Sequence, residues 1–372
     1  MTLALYSRLS ILSLPLAALL SSCATTMPVA NCPVDDLPCA TAQHYAAISD
    51  DPADVESLIM QTRESADRYV SRFGARPPAT IVVTGGTVPQ DLTDKLEANG
   101  YVILMPWVTA KQRLTLRADA VRSQVDAQTQ GLPESVRQAA MDSALDQIVS
   151  AKIDGPIKSV LPHELGHKWF INQFSNAKTH PVQHAYGGWA PDWLDEAVAV
   201  SMETDSLKSR RRNFFKEASL EDRISLEALL EMQHPSADVA RALAEKFRVK
   251  DQAETDPGVD TPFKALSEIP RGASAKTQSR VSRIITLSGE EGKQFVAASG
   301  GNRVLMFYSQ ALIFGEFLQV RTGQDSILAE IAATLFDGND FKYWLDTNPY
   351  GLPETLDGLQ ADWEAYIGTE LS

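Results

Sequence analysis

His163, Glu164 and His167, within LPHELGHKWF (161–170), have the spacing that a metal-dependent hydrolysis requires. Residues four apart on an α-helix lie one turn apart on the same face. Both imidazoles can then point at one zinc ion, which takes nitrogen ligands at about 2.0–2.1 Å. Glu164 is turned roughly 100° from His163 by the helical repeat, so it need not be a ligand. It can instead face an activated water as general base. Gly166 gives room for a second backbone or a substrate, at a helix-propensity cost of about 1 kcal/mol relative to Ala. The HExxH pattern also arises by accident in ordinary buried helices, so a third ligand has to be found.

Catalytic zinc sites hold three protein ligands and keep a fourth position open. A third histidine six residues after the second is excluded, because Gln173 occupies that place. His180 and His184 are also four apart, but Pro181 lies between them and Gly187-Gly188 follows. They read as loop residues near a cleft, with ligation as the lesser alternative. Asp192 is expected to cap the next helix. Glu196 in WLDEAVA is left, on a helix where Ala197 and Ala199 permit close packing.

HELGH followed by WLDEAVA resembles the gluzincin metallopeptidases, the thermolysin- and aminopeptidase N-like clan. The nearer likeness is to bacterial peptidase MA-like proteins, which share W(L)xEAxA and then an apolar, Tyr-containing helix of the kind seen at 307–323. The likeness covers roughly 155–335. It implies one Zn²⁺ held by His163, His167 and Glu196, with Glu164 as catalytic acid/base and a peptide or protein as substrate. Tyr308, in MFYSQALIFGEFL, falls where the family places a hydrogen-bond donor to the oxyanion. The alternative is a core tyrosine whose hydroxyl is satisfied elsewhere. Two departures stand out. Val200 occupies the position, four after the ligand Glu, where thermolysin-like enzymes carry an Asp that supports a ligand; Glu203 is one candidate for that role. No GxMEN sequence is present, which argues against an ordinary aminopeptidase.

The elements that must position these residues read as α+β and mostly helical. By resemblance they would form a thermolysin-like two-lobe zincin, with a small N-terminal sheet and a helical C-terminal lobe. Val55, Leu58, Ile59, Ala66, Tyr69 and Val70 have helical spacing within 52–73. ATIVVTGG (79–86) reads as a strand and turn, and YVILMPW (101–107) as a second strand placed at an edge by Pro106. Gly100 closes a short helix between them. Residues 110–152 are polar and helical, broken at GLP (131–133). The catalytic helices fall within 157–204 and the helical lobe within 205–372. Residues 212–248 look helical in pieces, with a break at His234-Pro235. Residues 250–280 lack periodicity and read as a mobile loop or lid, with disorder as the alternative. Asn302 and Gly323 are expected to bound an apolar helix, and a last amphipathic helix falls near 356–370.

The first 22 residues read as a signal peptide, with Arg8 and a short apolar run from Ile11 to Leu20. Leu20-Ser21-Ser22-Cys23 resembles the bacterial lipobox, which implies lipidation at Cys23. Ala24 after it points, by resemblance to Gram-negative sorting, to the outer membrane facing the periplasm. Residues 23–45 read as a tether, and 46–372 as the peptidase domain. In an oxidising compartment Cys32 and Cys39 are expected to form a local disulfide. The 372 residues carry a formal net charge of −14, and Arg210-Arg211-Arg212 reads as a solvated helix start. Nucleic acid is therefore excluded as a partner. A non-catalytic, zinc-binding envelope lipoprotein that binds proteins in its cleft is the second reading. Intact Glu164 weighs against it, because a binding module needs no general base.

Overall fold

The computed structural model describes residues 37–150, 160–174, 188–235 and 301–370, together with Cys32 and Val34. The signal peptide, Cys23, His180, His184 and the 250–280 segment lie outside the described residues. Strands β1 (Cys39–Ala42), β2 (Tyr45–Ile48), β3 (Thr80–Thr84) and β4 (Ile103–Trp107) form one sheet in that order. β1 and β2 are an antiparallel hairpin, whereas β2, β3 and β4 run parallel.

The two later strands coincide with the β-branched runs expected there, and Pro106 sits on the edge strand. The hairpin is a correction, because Cys39–Ala42 and Tyr45 fall in the stretch read as tether. Its strands are rich in alanine, and its turn is Gln43-His44 rather than a glycine pair, with Gln43 held at φ 56°. A sequence without the usual turn residues gives no hairpin signal. The Cys32–Cys39 disulfide fastens the preceding segment to β1.

Helices follow as α1 (Pro52–Phe73), α2 (Gln90–Ala98), α3 (Ala110–Gln128) and α4 (Glu134–Ser150), then α5 (Leu161–Gln173) and α6 (Asp192–Ser201). After them come α7 (Asp205–Glu217), α8 (Leu226–Glu231), α9 (Gly301–Thr322), α10 (Ile327–Phe336), α11 (Phe341–Thr347) and α12 (Leu356–Glu370). The protein is α+β and mostly helical. Parallel strands need cover on both faces. Alternate residues Tyr45, Ala47, Val82, Ile103 and Met105 join the main core with α1 and α5. Ala46, Ile48, Ile81 and Val83 meet Leu96 of α2 on the other face. Val70, expected on the buried stripe of α1, is exposed. Asn302 lies within α9 rather than capping it, and Gly323 ends that helix in a left-handed conformation. No helix among the described residues is long and apolar enough to cross a membrane.

α5 is locked against the sheet and α1. Trp169 Nε1 donates to Thr80 Oγ1 at 2.9 Å, and Tyr69 Oη donates to Gln173 Oε1 at 2.6 Å. Its other neighbour is α6, all ten of whose residues are buried. The two helices touch at Gly166, where an added Cβ would lie 3.0 Å from Ala199 Cα and from Met202 Cγ. Gly166→Ala is therefore expected to lower stability by about 1–3 kcal/mol despite its better helix propensity, because the helices must separate. Denaturant unfolding of the metal-free protein measures this; equal or greater stability would show that the contact yields.

Candidate metal centre

The helical repeat on α5 puts both imidazoles on the face that meets α6, and Glu196 comes from that helix. His163 Nε2 and His167 Nε2 are 3.2 Å apart. Glu196 Oε1 lies 3.7 Å from His163 Nε2, and Glu196 Oε2 lies 3.6 Å from His167 Nε2. Ligands at bonds of about 2.0–2.1 Å on a tetrahedral ion are separated by about 3.3 Å. The three groups thus have the spacing of a metal site, and all three are buried. Among the described residues this is the one such group of His, Cys, Asp and Glu side chains.

The outer nitrogens decide which atoms face the ion. His163 Nδ1 lies 2.9 Å from Glu203 Oε1, and His167 Nδ1 lies 2.8 Å from Asp195 Oδ1. A carboxylate only accepts, so each Nδ1 carries the hydrogen and each Nε2 is directed inward. Arg211 grips Glu203 with both arms of its guanidinium, Nε to Oε2 being 2.6 Å. Burial alone would raise the Glu203 carboxyl, but Arg211 and His163 outweigh it and hold it below the usual carboxylate range.

Burial also opposes charge on His167. Asp195, with Glu196 and Glu164 adding to it, reverses the balance and raises that imidazole from 6.5 to about 9. Without metal, His167 is then cationic at neutral pH, and an ion must displace its proton. Metal loading at pH 7 is expected to release about one proton. Apparent affinity should rise about tenfold per pH unit up to roughly pH 9 and then level off. A titration followed by pH-stat tests this, and a flat affinity between pH 6.5 and 9 would contradict it.

Glu164 is half-buried and does not belong to the group of three that could hold the metal. Tyr308 comes from α9, with its ring centroid 5.7 Å from that of His163. Arg211 lies over the Tyr308 ring at 4.7 Å. The Arg210-Arg211-Arg212 run is therefore not a helix start, and only Arg210 of the three is exposed. The run lies inside α7, where Arg212 pairs with Glu316 and the half-buried Arg211 reaches the buried Glu203.

Three residues near the metal helices escaped sequence reasoning or were misassigned. Asp195 orients His167, and its position next to Glu196 was the available signal. Asp192 is the first residue of α6, preceded by Pro191, and does not cap it. Its Oδ2 instead accepts the backbone N–H of His234 at 2.7 Å. His234 is buried, its ring 5.1 Å from Phe307 and 5.2 Å from Tyr308. Burial, then the nearby His167 and His163, push it down to about 3, so it is neutral at physiological pH. Only the break at His234-Pro235 was visible in the sequence. No protein-family model matches the chain, and no curated protein or solved structure matches it either.

Proposed function

We propose that this chain is a zinc-dependent peptidase of the gluzincin type, carried on a lipid anchor at Cys23 at the outer membrane and facing the periplasm. The observation that carries the reading is a ligand set of two histidines and one glutamate with Glu164 beside it but outside it. Two imidazoles and a carboxylate with an open fourth position suit catalytic zinc. The order of elements supports a two-lobe arrangement, since the sheet precedes the metal helices and helices alone follow among the described residues.

Bound zinc would supply Lewis acidity, making a water acidic and polarising the scissile carbonyl. Glu164 takes the proton of the attacking water and passes it to the leaving amine. Tyr308 donates a hydrogen bond to the developing oxyanion, with the neutral His234 imidazole beside it. The edge of β4, which has no further strand beside it among the described residues and lies next to α5, pairs with an extended substrate backbone.

Metal analysis of the purified protein, together with cleavage of casein or a peptide library before and after chelation, tests the proposal. One zinc per chain and chelator-sensitive cleavage restored by zinc are expected. Metal without cleavage would favour the non-catalytic binding reading, and iron in place of zinc would redirect the chemistry.

A further inference from the structure

Arg113 follows the edge strand β4, which packs against α5, the helix that carries His163, Glu164 and His167. Arg113 itself lies in the first turn of α3, four residues after the N-cap Thr109 that follows β4. Its Nε donates to the Val108 carbonyl at 2.9 Å, and its guanidinium lies 5.1 Å from the ring centroid of Trp107, the last residue of β4. Trp107 is buried, so the surface under the guanidinium is fixed. Among the described residues a neutral carbonyl is its one hydrogen-bond partner. Partial burial disfavours its charge, while Glu164 is near enough to favour it.

The other arginines close to the catalytic helices are spent on carboxylates, Arg211 on Glu203 and Arg212 on Glu316. Arg113 differs: among the described residues no carboxylate is hydrogen-bonded to its two terminal nitrogens, and the acid whose charge reaches it is Glu164. A guanidinium stacked on an indole and tied at Nε is pre-oriented, so it loses little freedom on taking a carboxylate through its remaining fork.

We propose that Arg113 receives a substrate carboxylate, so that the cleft beside Glu164 selects peptides carrying a negative charge at one subsite. This rests on the peptidase reading above. The carboxylate belongs either to an Asp or Glu side chain or to the C-terminus of the substrate, and both offer the same planar pair of oxygens.

The test compares kcat/KM for matched fluorogenic peptides with Glu against Gln at each subsite in turn, and with a free against an amidated C-terminus. The zinc-loaded wild type is expected to favour the charged member of one pair by about 10- to 100-fold. A preference within the side-chain pairs identifies an internal acidic residue; a preference for the free acid identifies a chain terminus. Arg113→Gln should bring the ratio to about one, and Arg113→Glu should shift preference to a peptide with Lys at that subsite, an inversion that misfolding cannot produce. Equal rates within every pair in the wild type, or a ratio that survives Arg113→Gln, would overturn the assignment. If the wild type hydrolyses no peptide, the peptidase reading fails by itself. Anisotropy of the same labelled peptides then decides Arg113 alone: charge-dependent binding lost in Arg113→Gln supports it, and charge-independent binding or none overturns it.

Discussion

Glu164→Gln is expected to keep one zinc per chain and to lower kcat for peptide hydrolysis by about 10²–10⁴-fold. The side chain is half-buried and belongs to none of the three groups that converge at the metal position. Glutamine has the same shape, so the contacts of α5 with α1 and α6 are preserved. What disappears is basicity, because a neutral amide cannot take a proton from water at neutral pH. KM should change little, since the group acts on the reacting water rather than on substrate side chains. Metal content by mass spectrometry and steady-state kinetics on one peptide are sufficient. Turnover within tenfold of wild type, with zinc present, would remove Glu164 from the mechanism.

Glu196→Ala produces the second large effect, on metal binding. Dividing about 10–16 kcal/mol of zinc affinity among four ligands gives about 2.5–4 kcal/mol each, a loss of roughly 60- to 900-fold. The real deficit should be at the upper end, because Glu196 is fully buried and its two oxygens face both imidazoles. No water can replace a carboxylate in a space closed by α6 and α9 without leaving the centre short of negative charge. Competition with a chromophoric chelator measures the change. Zinc affinity within tenfold of wild type would mean that another group completes the site.

The centre was readable in the sequence to the extent that local periodicity determines it. His163 and His167 share a face because any helix of that register puts them there, and Gly166 marked the close approach of a second helix. Glu196 needed only a second helix rich in small residues. The groups holding these ligands could not be read in the same way. Glu203 was a candidate, but Asp195 and Arg211 become partners of the imidazole network only through the packing of α5, α6 and α7. The charge of Arg211 suggested solvent, yet its guanidinium turns inward onto the buried Glu203. The β1–β2 hairpin was missed because alanine and Gln43-His44 carry no strand or turn preference, and its place is set by pairing with β3. His234 was seen as a helix break, whereas its location beside Tyr308 depends on a hydrogen bond to Asp192 that spans α6 and the end of α8.

The two carboxylates on the outer nitrogens also determine when the ion arrives. Asp195 and Glu203 aim the imidazoles with protein groups alone, and the hydrophobic contacts of α5 and α6 hold the backbone beneath them. Maturation is thus expected to be sequential: the chain acquires its shape first and then collects its metal with no refolding. Small zinc modules, which stay unstructured until loaded, follow the opposite sequence. Chelation should consequently yield a silent but intact protein that zinc alone can switch back on.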